Sequence, residues 1–222
     1  MASLSADALP ATPATATATA TSTDPRIAQV LEFWLGAAQP TDASALTRQS
    51  MWFTKSDALD AEIRSRFGAW VEAARAGRLD GWAETAYGRL ALIVLLDQFS
   101  RNAWRGQPEG FAGDAQALVL ALEALENGHW ETVPPLAQFF LAMPVEHAED
   151  PTMQARSVAL FTQLAAQATP ATQPVLRSAL EFAHQHQKVI ARFGRFPHRN
   201  AALGRDSTAE EKAFVAQPGT SF

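Results

Sequence analysis

From Asp24 onward the chain is a succession of apolar stripes at helical spacing, broken by caps and stops. Ile27, Val30, Leu31, Trp34 and Leu35 recur three or four residues apart, so they share one face of a helix. Asp24-Pro25 offers a capping carboxylate and a first-turn proline, and Gly36 offers a stop. Residues 37–50 carry no stripe and read as a loop, followed by the cluster Met51, Trp52 and Phe53. Ser56 then caps a second helix with Leu59, Ile63, Phe67, Trp70 and Ala74 on one face, closed at Gly77. A third helix is predicted over 86–102, with Leu92, Leu95, Leu96 and Phe99 as its stripe. Asp114 opens a fourth, with Leu118, Leu122 and Leu125 expected inside and Asn127-Gly128 as the stop.

Pro134-Pro135 starts a short helix carrying Phe139, Phe140 and Leu141, and MPVEHAEDP after it reads as a turn dense in titratable groups. Asp150-Pro151 repeats the cap-plus-proline start, with Met153, Ser157, Leu160, Phe161 and Leu164 on the buried side. The last long helix begins near Gln173-Pro174, packs Leu176, Leu180, Ala183, Ile190 and Phe193, and stops at Gly194. FPHRNAALGR is irregular, and Ser207 with Glu210 has capping-box spacing for a short final helix. No segment alternates as a strand does, and no Gly-rich phosphate loop follows one. The fold class expected is all-α, with seven or eight helices. No repeat near the 34-residue length of a helix pair is visible.

Composition adds bounds. The 222 residues suffice for one domain over 24–222 plus a tail over 1–23, which is rich in Ala and Thr and reads as disordered. That tail has no basic leader and no continuous apolar run of the signal-peptide kind. Cysteine is absent, so thiolate nucleophiles and Cys-bound zinc are out, and a cytoplasmic location is expected. The longest apolar run, over 90–96, is far too short to span a bilayer. A formal charge of -5 argues against general nucleic-acid binding.

Against that acidity stands HQHQKVIARFGRFPHRNAALGR, which carries Lys188, Arg192, Arg195, Arg199 and Arg205 and no Asp or Glu. Guanidinium forks bind carboxylates and phosphates through paired donors. A second polar string, LLDQFSRNAWRG, sets Asp97 and Arg101 four apart, as are Gln98 and Asn102. The two strings are expected to fold onto one spot. His147 with Glu149 offers a tuned imidazole, and His198 is a further candidate base. Their spacing matches no metal motif, so neither metal nor cofactor is expected, and no nucleophile elbow is present.

LLDQFSRNAWRG together with RFGRFPHRNAALGR resembles the bacterial domain-of-unknown-function 924 family. VLEFWLG, Trp52-Phe53, PVEHAED and Gln154 follow the same pattern in the same order, and the resemblance spans about residues 26 to 216. Ser100 replaces the usual Pro and Ala148 a common Ser, and neither change removes a charged group. The resemblance implies a tetratricopeptide-like antiparallel helical superhelix and assigns no activity.

Three functional readings compete at this point. The first is a scaffold whose Arg-rich site binds a small anionic molecule or an acidic peptide. Arg101, Arg192, Arg195, Arg199 and Arg205 would supply charge there. Asp97 and Asp114 would orient them, and Asn102, His186 and Asn200 would add neutral groups. The second is a hydrolase or lyase with His147 or His198 as base and Glu149 as its orienter. A plain protein-interaction module, marked by an exposed apolar groove, is the third reading. The Arg block is also readable as internal ion pairing with Asp97, Asp114 and Glu149.

Overall fold

The computed structural model describes residues 24–220, and the expected N-terminal tail lies outside them. The described residues are helical throughout, without a strand. The elements are α1 (Pro25–Leu35), α2 (Asp42–Leu46), α3 (Gln49–Phe53), α4 (Asp57–Arg75), α5 (Ala86–Ile93), α6 (Ser100–Ala103), α7 (Asp114–Glu126), α8 (His129–Thr132), α9 (Pro135–Glu146), α10 (Pro151–Ala166), α11 (Gln173–Phe193) and α12 (Ala209–Val215). Short connections between α9, α10 and α11 return each helix along the one before it, so they pack as antiparallel neighbours.

The caps read from the sequence hold α1, α4 and α10. Asp24, Ser56 and Asp150 accept from the backbone N–H groups of Arg26, Leu59 and Met153. The core runs from Ile27 to Ala183 around Trp34, Phe67, Phe99, Phe140 and Phe161. Val189, Ile190 and Phe196 form a smaller cluster, with Phe193 and Phe214 packed on it.

Four local readings change. The 37–50 stretch is not all loop, because Thr41 and Ser44 make a reciprocal capping box that nucleates α2, and α3 follows. On α7 the fully buried face is Ala117, Leu120, Ala121 and Ala124, and Leu118, Leu122 and Leu125 are half-buried. Small alanines let α7 approach its neighbours closely, and leucines filling the flanks misled the periodicity. Helix α9 continues through Pro144 to Glu146, so the expected turn is really a helix end. The final capping box pairs Thr208 with Glu211, one residue later than expected.

The third predicted helix carries the change that matters most for the site. Residues Val94–Phe99 form a π turn between α5 and α6, and Ser100 N–H bonds the Leu95 carbonyl five residues back. The Ser100 hydroxyl donates to the same carbonyl at 3.2 Å and accepts from Arg75 at 2.8 Å. The wide turn is completely buried and includes Asp97 and Gln98. Gly113 fits against it: a Cβ there would lie 2.5 Å from the Leu96 carbonyl oxygen. Gly113 thus sets how closely α7 approaches the π turn.

Candidate functional site

Asp97 is fully buried, and its carboxylate is the anchor of the site. Oδ1 lies 2.6 Å from His147 Nδ1 and 2.9 Å from Arg101 Nη1, while Oδ2 accepts from Gln98 Nε2 at 2.6 Å. His147 caps the C-terminus of α9. Gln154 fixes that turn, because its Nε2 donates to the carbonyls of Glu146 and Ala148 at 2.6 and 2.8 Å. Burial alone would raise the Asp97 carboxyl, but Arg101, His147 and Gln98 hold it well below the usual carboxylate range. Burial and then Arg101 push the His147 imidazole down, against the opposing pull of Asp97. An ionised Asp97 fixes a neutral His147 with Nδ1–H toward the carboxylate, which leaves Nε2 as the basic nitrogen.

Arg101 donates to both oxygens of Asp114, at 2.9 and 3.0 Å. Arg199, from the turn beyond α11, donates to Oδ2 of the same carboxylate at 3.2 Å. Both guanidinium groups lie over Phe111, 5.7 and 5.1 Å from the ring centre, and Arg199 also covers Phe196 at 4.4 Å. The middle and C-terminal strings therefore meet through Arg101 and Arg199. Burial, which disfavours the charged form, and then repulsion from Arg101 lower Arg199 to about 10.

The other predicted site residues lie in different surroundings. Glu149 does not orient His147. Its carboxylate instead takes Arg205 at 2.6 and 3.0 Å and the Phe196 N–H at 2.8 Å, tying the 194–205 turn to the α9–α10 junction. Asn200 accepts from Arg205 and donates to Ser207 within that turn. Arg192 and Arg195 face α12, pairing with Glu210 and Glu211 at 2.6 and 2.7 Å. Asn102 departs from Gln98 and joins Arg105 on Asp60. His186 Nδ1 lies 3.0 Å from Glu146, and the His186 and His147 ring centres are 6.2 Å apart. Burial, then Arg199 and the neighbouring histidines, lower His198 to about 3. It too is neutral at pH 7.

A cavity of about 370 Å³ opens beside this network. Asp114, His147, Glu149, Asp150 and Arg199 form its polar wall, and Phe111, Leu118, Pro144 and Leu203 form its apolar wall. Concave space with a mostly apolar lining and a few convergent polar groups suits a small molecule. Among the described residues no three His, Asp or Glu side chains are grouped to hold a metal ion. No helix among them is long and apolar enough to cross a membrane.

Sequence reasoning missed Glu146, Phe111 and the role of Asp97 as the partner of His147. Only the turn at Glu146 being helical, and hence aimed inward, would have exposed the first. Phe111 carries no polar signal at all.

The comparisons agree with the architecture. A solved structure of a protein of unknown function, ATU0120 from Agrobacterium tumefaciens, is 35% identical over 87% of this chain and 98% of its own, with a TM-score of 0.73. No curated protein shows significant similarity. The family model described as bacterial protein of unknown function (DUF924) matches residues 30–219. The chain belongs to that family of bacterial proteins.

Proposed function

We propose that the protein is an acid–base enzyme of the hydrolase or lyase type, with His147 as general base. The reading rests on one observation: an imidazole held at 2.6 Å by a buried carboxylate also lines the cavity beside Arg199. Asp97 fixes the tautomer and stabilises the imidazolium once His147 has taken a proton. Nε2 takes that proton from a bound water or from the substrate. Arg199 lies where negative charge develops, and its own charge is only partly compensated by Asp114. No covalent nucleophile is needed. Lack of cysteine supports a cytoplasmic setting for this chemistry.

A panel of small esters, phosphate esters and hydroxy acids, incubated with the full chain and followed by mass spectrometry, tests the reading. Wild type should consume at least one compound that folded His147→Gln leaves untouched. Equal consumption by both proteins, or none by either, overturns it.

The second reading is binding of a small anion without turnover, favoured by the Arg199 guanidinium on the wall of the cavity. Against it, the carboxylates of Asp97, Asp114, Glu149 and Asp150 stand among the guanidinium groups of Arg101, Arg199 and Arg205. The site as a whole carries no surplus of positive charge. An acidic peptide is less favoured still, because Arg192 and Arg195 are engaged by α12.

A further inference from the structure

A second cavity, of about 190 Å³, opens on α3, α9 and α11 and also borders His147. Its walls are aromatic: Trp52, Phe139, Phe140 and Phe182, with the exposed Phe53 at the rim. Trp52 is held in place by its indole N–H, which donates to the Trp34 carbonyl at 3.0 Å, and its ring meets Phe140 at 4.9 Å between centres. Phe139 and Phe140 meet edge to face at 4.7 Å, so the wall is preorganised. The space suits one aromatic ring, since an apolar cavity of about 150 Å³ holds benzene.

The floor is not apolar. Glu146, on the last turn of α9, is 3% exposed and lines the cavity. Among the described residues, it is the one Asp, Glu, Lys or Arg in that lining. Its Oε1 is buried without a hydrogen-bond donor. His186 Nδ1 is 3.0 Å away, but that nitrogen is within 2.9 Å of the Phe182 carbonyl, where the hydrogen-bond geometry is met. A carboxylate this buried, with Gln98, His147, Ser178 and His186 as the other polar groups of the lining, calls for a positive partner. The aromatic faces around it attract cations as well.

We propose that this cavity binds a small organic amine: an aromatic or branched apolar body between Trp52, Phe139 and Phe182, with its ammonium group on Glu146. The two cavities share His147 in their linings, but the proposal does not depend on catalysis by His147. The rim residues Phe53 and Phe182 are 58% and 44% exposed, consistent with access from solvent.

Benzylamine, benzyl alcohol and benzoate differ mainly in their polar ends and serve as probes of the full chain by calorimetry and by the NMR signal of the Trp52 indole. Benzylamine should bind most tightly and shift the Trp52 signal. Glu146→Gln should weaken benzylamine by about tenfold or more, the worth of a hydrogen bond to a charged group, and leave benzyl alcohol unchanged. Should Glu146→Gln fail to fold, Phe182→Ala at the rim should weaken all three probes while folding normally. Benzyl alcohol or benzoate binding as tightly as benzylamine overturns the proposal. So does the absence of benzylamine binding to the wild-type chain, or its unaltered binding to Glu146→Gln.

Discussion

Arg199 donates to Oδ2 of Asp114 at 3.2 Å, although the two residues lie 85 positions apart in the chain. Asp114 already holds Arg101 through both oxygens, so one carboxylate joins α6, the start of α7 and the turn beyond α11. That junction closes one wall of the polar cavity and gives the C-terminal third its register on the rest.

Replacing Asp114 with Asn should leave two largely buried guanidinium groups, Arg101 with Asp97 and Arg199 with Glu149 and Asp97 as the remaining nearby carboxylates. Unfolding in urea should show a loss of about 2 kcal/mol, discounted from the cost of a fully buried pair because Asp114 is partly exposed. Adding Arg199→Met should recover part of the loss, since it removes one uncompensated charge. Strictly additive losses would show that the two side chains are not coupled through Asp114.

Arg195 plays a different part. Its fork holds Glu211 at 2.7 and 2.9 Å, and it also donates to the Asp206 carbonyl at 2.8 Å. Arg195→Ala should loosen α12, seen as faster amide hydrogen exchange over residues 209–215, and leave activity at the polar cavity unchanged. Loss of that activity without faster exchange would place Arg195 in the site after all.

These two arginines show what the sequence could and could not convey. Asp97 and Arg101 pair as their four-residue spacing says, because local helix geometry fixes that relationship. The convergence of Arg101 and Arg199 was readable as two polar strings of matching chemistry, even though its Asp114 hinge was only one of several acids available. Which arginines turn inward depends on where α12 docks, and spacing carries no information on that. His147 is legible as a candidate base, but the partner that the sequence suggests is the neighbouring Glu149 and not Asp97. The π turn that brings Asp97 to it leaves no mark in the apolar periodicity. The helical class was legible throughout. The inner face of α7 was not, since it is made of alanines between larger leucines.

Gly113→Ala should press a methyl group against the Leu96 carbonyl and its Cα, the latter 3.1 Å away. Backbone cannot yield as a flexible side chain does, so the cost should be about 2 kcal/mol in chemical denaturation. The strain falls on the π turn that carries Asp97, so activity at the polar cavity should fall even in protein that remains folded. Full activity at reduced stability would separate the π turn from the site.

Acid should destabilise the fold in two stages. His198 is held at about 3 in the native state, against an ordinary value of 6.5. Between those values the unfolded chain binds a proton that the native state does not, so stability falls as pH drops from 6.5 toward 3. Below the usual carboxylate range the lowered Asp97 and Glu149 add to the same trend, as the unfolded chain protonates them first. His198→Gln should lessen the fall in stability across the whole range from about pH 6.5 to 3 without abolishing it, since His129 and His147 are lowered as well. An unchanged slope over that range would mean that His198 titrates normally in the native state.

The most direct measurement of the account is the protonation state of His147, read by long-range proton–nitrogen NMR on the labelled protein. At pH 7 the ring should be neutral, with the proton on Nδ1 facing Asp97 and Nε2 unprotonated, and its midpoint of titration should lie below 6.5. An imidazolium at pH 7, or a neutral ring with its proton on Nε2, would contradict it.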